Sequence, residues 1–116
     1  MEKEPMLDGA QLDRLYEWGG EELKRKMIDL FFEHAPERLE GVRSGLEEND
    51  LELAERSAHS LKSSAANLGA EPLRALSGRI EEFLESGAEA EARRLFPEFE
   101  TTFQETIDAL ETLLRQ

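Results

Sequence analysis

Residues 51–70 read LELAERSAHSLKSSAANLGA, and their apolar members Leu51, Ala54, Ala58, Leu61, Ala65 and Leu68 step by three and four. That is the period of an α-helix with one apolar face. Gly69 follows the stripe directly and is a helix stop, since glycine readily takes the left-handed conformation that closes a last turn. Asn49-Asp50 precedes it as a turn and cap. The spacing predicts a helix from about Leu51 to Leu68 whose stripe must pack against other helices.

The same period extends in both directions. Upstream, a helix starting near Glu21 carries Met27, Ile28, Phe31, Ala35, Leu39, Val42 and Leu46 at close to heptad spacing. Pro36 lies inside it and removes one backbone hydrogen bond, so a kink or break is expected there. Ahead of that helix, Asp8 to Gln11 forms a capping box for a short first helix with Leu12, Leu15 and Tyr16, closed by Gly19-Gly20. Downstream, Pro72 suits the first turn of a helix that buries Leu73, Leu76, Ile80 and Phe83 and ends near Ser86-Gly87. The last helix carries Leu95, Phe99, Phe103, Ile107, Leu110 and Leu114, with Pro97 marking a bend or a late start. No stretch alternates with period two for long enough to suggest a sheet. The expected fold is all-α: an antiparallel four-helix bundle with a short additional N-terminal helix, one domain spanning residues 1–116.

Composition narrows the function. The 116 residues carry a net charge of −13 and no cysteine. Such a field repels nucleic acid and anionic lipid, so neither is expected as a partner. Disulfides, thiolate metal sites and cysteine nucleophiles are excluded. No apolar run approaches the roughly 20 residues needed to span a bilayer, and the first residues lack the apolar core of a signal peptide. A cytoplasmic setting is expected.

On the helical wheel of residues 51–68, His59 lies roughly 130° from the centre of the apolar stripe. It should face solvent, among Glu52, Glu55, Arg56, Lys62, Ser63 and Ala66. An imidazole has an ordinary pKa near 6.5, so its neutral form is available at neutral pH, and a neutral ring nitrogen can attack phosphorus. Lys62, one turn on, can bring an ammonium to phosphoryl oxygens. Ser63 and Ala66 are small enough for a partner backbone to come close. Read singly, each of these residues is an ordinary surface position, and Gly69 is no more than a cap.

Taken together, the stretch Ala58-His59-Ser60-Leu61-Lys62-Ser63-Ser64-Ala65-Ala66-Asn67-Leu68-Gly69-Ala70 closely resembles the signature of the histidine-containing phosphotransfer (HPt) family. Leu61, Lys62 and Gly69 stand at the matching offsets from His59. Glu33-His34-Ala35-Pro36-Glu37 looks like the family's second helix with its proline. Ser63 stands where the family often has glycine. The resemblance implies that His59 accepts a phosphoryl group from a receiver-domain aspartate and passes it to another receiver. It implies that Lys62 stabilises the phosphoryl oxygens, and that magnesium belongs to the receiver. It further implies a phosphohistidine carrier with neither ATPase nor autokinase activity, in keeping with the lack of a Gly-rich phosphate loop. Glu55, Arg56, Ser63 and Ala66 are the expected docking residues; Leu12 and Leu15 are expected to pack as a lid. A monomer is expected.

Other readings have less to rest on. His34 falls near the apolar stripe of its helix and is expected to be a partly buried structural residue. A di-iron bundle needs Glu-x-x-His pairs facing the core; none is present, so no metal is expected. No pair of carboxylates stands out for acid–base catalysis. Two alternatives stay open: a docking-only HPt-like domain, and the phosphorylatable domain of a chemotaxis-type kinase.

Overall fold

The structure, a computed structural model, describes residues 5–116. Four helices follow in order: α1 (Gly9–Glu47), α2 (Leu51–Asn67), α3 (Glu71–Glu85) and α4 (Glu89–Leu114). There is no strand among the described residues. Three-residue connections fold each helix back on its predecessor, and α4 closes the bundle against α1. No helix among the described residues is long and apolar enough to cross a membrane.

The short first helix and the longer second one are two arms of α1 that meet at Gly20. With φ 69° and ψ −165°, Gly20 has the only non-helical backbone in α1, in a region that side chains disfavour. The expected break at Pro36 is therefore absent. Pro36 is exposed, so water can satisfy the carbonyl four residues back that its ring deprives of a donor. Pro97 is likewise exposed and sits inside α4, which starts ahead of it at Glu89; the late start is not seen.

The N-terminal arm lies over one end of the bundle. Leu12 and Leu15 are buried there, as expected of a lid. The capping box forms only in part. Asp8 caps the arm by accepting from Ala10 N–H, but Gln11 reaches across the bundle and donates to the Asn67 carbonyl at 3.0 Å. Asp8 N–H donates to the Gly69 carbonyl at 2.6 Å. The arm is thus tied to the end of α2. Gly69 closes that end with φ 70°. Its N–H donates to Ala66 and that of Ala70 to Ala65, a pair of bonds that satisfies the last carbonyls of the helix.

The stripes read from the sequence meet in the core. Ile28, Val42, Ala54, Ala58, Leu61, Ala65, Leu73, Ile80, Phe99 and Leu110 are fully buried. Met27, Leu39, Leu51, Leu95, Ile107 and Leu114 pack at its edges, partly exposed. Tyr16 departs from expectation: it flanks the buried Leu12–Leu15 face and is exposed, as are Trp18 and Leu30. Phe83 is only half-buried, beneath the Arg79 guanidinium, and Leu84 holds the core position instead.

The α1–α2 crossing is unusually close. A Cβ on Gly45 would stand 2.7 Å from the Ala54 backbone nitrogen and 2.8 Å from the Asp50 carbonyl oxygen. Glycine is needed here for space, and the facing residues are backbone that cannot rotate away. Gly45→Ala gains about 1 kcal/mol in helix propensity but forces the crossing apart, at a typical cost of about 1–3 kcal/mol. A net loss of about 1 kcal/mol is expected in urea unfolding; an equal or raised midpoint would mean that the crossing yields freely.

Candidate functional site

The close α1–α2 crossing and the α2–α3 packing fix the rotation of α2. Leu61 is turned fully into the core, and His59, two residues earlier, turns outward. The His59 side chain is 59% exposed, as its place on the helical wheel predicts. Arg56 and Ser63 are exposed and Glu55 and Ala66 half-buried, so the four expected docking positions border the histidine on one face. Gly69 ends the helix as expected.

The structure adds a residue that the sequence reading missed. Glu81 of α3 is 7% exposed and faces α2. One carboxylate oxygen lies 2.6 Å from His59 Nδ1 and the other 2.6 Å from Lys62 Nζ. Burial alone pushes the Glu81 carboxyl up. The hydrogen bonds from Lys62 and His59, and the charges of both, outweigh that and hold it below the ordinary carboxylate range. The same hydrogen bond holds the Lys62 ammonium above its usual value, against a smaller effect of burial and with help from the charges of Glu81, Glu85 and Glu82.

An ionised carboxylate only accepts hydrogen bonds, so the proton of a neutral His59 ring belongs on Nδ1. Nε2 then carries the lone pair, with no partner among the described residues. The arrangement is an oriented nitrogen nucleophile, with a carboxylate behind the ring to balance positive charge as the ring gains it. Lys62 reaches Glu81 by lying over Gly78: a Cβ there would stand 3.3 Å from Lys62 Cδ. Lys62 is therefore committed to Glu81 in this state.

The sequence did contain a signal for Glu81. The buried positions of α3 are Leu73, Leu76, Ser77, Ile80, Glu81 and Leu84, so Glu81 sits inside the apolar stripe once Leu84 ends it. Placing Phe83 in the stripe turns its centre away from Glu81 and hides the anomaly. His34 also departs from expectation. It is exposed, because Phe31 and Ala35 take the inward positions around it. It lines a hollow of about 180 Å³ with Met27, Leu30, Ser64 and Asn67. No three His, Asp or Glu side chains converge as a metal-ligand group among the described residues.

The family model of the Hpt domain matches residues 26–115. The phosphorelay intermediate protein rdeA of Dictyostelium discoideum is 26% identical over 95 residues, 82% of this chain and 37% of the relative. The chain thus spans little more than a third of the length of that relative. The crystal structure of histidine-containing phosphotransfer protein B (HptB) from Pseudomonas aeruginosa superposes with a TM-score of 0.87 at 26% identity, covering 95% of each chain.

Because the Glu81 carboxyl titrates below its ordinary 4.5 in the folded state, its pairing stabilises the fold above that pH and is lost as pH falls through the folded value. Glu81→Gln is expected to be less stable than the wild type by about 1 kcal/mol at neutral pH. The gap should narrow as pH falls below that ordinary value, read from urea midpoints at neutral and at acidic pH. A gap of the same size at both would show that the charge contributes nothing.

Proposed function

Since the chain belongs to the histidine-containing phosphotransfer (Hpt) domain family, we propose that it is a phosphorelay intermediate of two-component signalling that takes a phosphoryl group from one receiver domain and hands it to another. The observation that carries this reading is the exposed His59 ring with Nδ1 held on Glu81 and Nε2 left open.

The chemistry follows from that ring. The Nε2 lone pair attacks the phosphorus of an aspartyl phosphate; the N–P bond forms as the P–O bond to the aspartate breaks, and the carboxylate leaves with its electron pair. The ring becomes an N-phosphorylated imidazolium that keeps its Nδ1 proton. The Glu81 carboxylate stands against that charge throughout, so no proton needs to move. Transfer onward is the reverse, with the next receiver's aspartate as nucleophile. Magnesium belongs to the receiver's acidic pocket in this reading, and this chain contributes the nucleophile, its orientation and a docking face. Glu81 acts through His59 as a positioning residue. Lys62, which shares Glu81 with the ring, can serve phosphoryl oxygens by giving up its bond to Glu81. Glu55, Arg56, Ser63 and Ala66 border the ring where a receiver would sit.

Incubation with a phosphorylated receiver tests this reading. Acid-labile, base-stable label is expected on the wild type and none on His59→Gln, with helical circular dichroism retained and stability within about 1 kcal/mol. Label persisting on the variant, or none on the wild type from any of several receivers, would overturn it. Lys62→Ala is expected to slow transfer about threefold to tenfold, or to shorten phosphohistidine lifetime to that extent, which corresponds to roughly 0.7–1.4 kcal/mol. Rates and lifetimes equal to those of the wild type would return Lys62 to a role in holding α2 against α3.

A further inference from the structure

The −13 charge raises a physical difficulty for phosphoryl exchange between proteins. A partner site that presents an aspartyl phosphate among metal-binding carboxylates is itself anionic, so two like-charged surfaces must meet at His59. Beside the histidine, the seam between α1 and α2 opens into a hollow of about 280 Å³ lined by Arg38, Leu53, Arg56, Ser57 and Ser60. Arg56 stands one turn before His59 on α2, Ser60 directly follows it, and Arg38 comes from α1. Both arginines are exposed, and neither has an ion pair or a side-chain hydrogen bond among the described residues.

Several other cations of this chain are engaged by carboxylates. Carboxylates outnumber lysine and arginine 27 to 14, and Arg43, Lys62, Arg93 and Arg94 all hold one. Glu52 stands four residues before Arg56, in position for a helical ion pair that is not made. Two guanidinium groups are therefore left to one polar hollow next to the reacting ring. With Lys62 committed to Glu81 on the α3 side, they are the free cations of the docking face on the α1 side.

We propose that the Arg38–Arg56 hollow receives acidic side chains from the rim of the partner's phosphoacceptor pocket, and so draws in and orients the receiver over His59. The inference rests on the phosphorelay reading above. The hollow has room for carboxylate side chains and none for a helix, so the partner contributes a rim residue. A guanidinium offers two parallel donors to a carboxylate, which fixes direction as well as charge. Because Arg38 and Arg56 lie to one side of His59, the contact sets which way round the receiver sits.

The test is transfer from a phosphorylated receiver to the full chain carrying Arg38→Glu, Arg56→Glu or both, with Arg115→Glu as the same charge change on another part of the molecule. Rates are read at limiting and at saturating receiver, and at ionic strengths of about 0.01 M and 0.15 M, where the Debye length is roughly 30 and 8 Å. Each reversal is expected to lower kcat/KM about tenfold at low salt, through KM, with a smaller loss at high salt. The double variant should lose more, and Arg115→Glu should stay within about twofold. Arg38→Gln with Arg56→Gln removes charge without adding the opposite one, and should lose less in the same direction. A loss in Arg115→Glu equal to that in the hollow variants would reduce the effect to net charge and overturn the proposal; so would a double reversal with wild-type KM and salt dependence. A wild type that takes no label from any receiver fails the phosphorelay reading itself, and is told apart by that control.

Discussion

The Glu81 carboxylate joins the working face of α2 to α3. Burying a carboxylate is unfavourable unless it is paired, and here both oxygens are used, one by His59 and one by Lys62. That bond set fixes three things at once. It decides which ring nitrogen of His59 holds the proton. It commits the nearest ammonium, and it sets the rotation of the exposed ring relative to the bundle. The glycine at 78, over which the Lys62 stem lies, is part of the same constraint.

The scaffold behind this face is rigid for an equally local reason. Gly45 lets α1 lie against the backbone of α2, and Leu61, Ala58 and Ala65 leave no exposed surface on the inner side of the helix. In the proposed relay, a nucleophile that meets an aspartate on another protein benefits from such support, because the geometry of attack is then set before the partner arrives. The N-terminal arm adds to it by holding the last carbonyls of α2 through Asp8 and Gln11.

Charge shapes the outer face. A net charge of −13 disfavours contact with other acidic surfaces, and the receiver site of the proposed relay is acidic too. The basic residues are accordingly divided. Several are absorbed by carboxylates one helical turn away, as with Arg74–Glu71 and Arg94–Glu91, while Arg38 and Arg56 are left open beside the histidine. Exposed ion pairs of the first kind contribute little to stability, so their main effect is to hold these charges within the chain.

How far the site could be read from the chain differs by residue. The stripe from Leu51 to Leu68 sets both the helix and the outward direction of His59, because side-chain direction along a helix follows from a 100° step and needs no tertiary information. Gly20, Gly69 and Asp50 mark ends for the same local reasons of backbone angle and capping. The break at Pro36 and the late start at Pro97 did not appear, because a helix held by its neighbours tolerates an outward-facing proline, a matter of burial that the residue alone does not carry. Glu81 stayed hidden because its meaning depends on which of Phe83 and Leu84 turns inward. Gln11 was assigned to its own helix end but found a carbonyl 56 residues away. Local periodicity determined the four helices, their inner faces and the exposed histidine. Only the packing of α2 against α3 and α1 decided the carboxylate behind the ring, the lysine bound to it and the pair of free arginines, since each of these is a contact between residues on different helices.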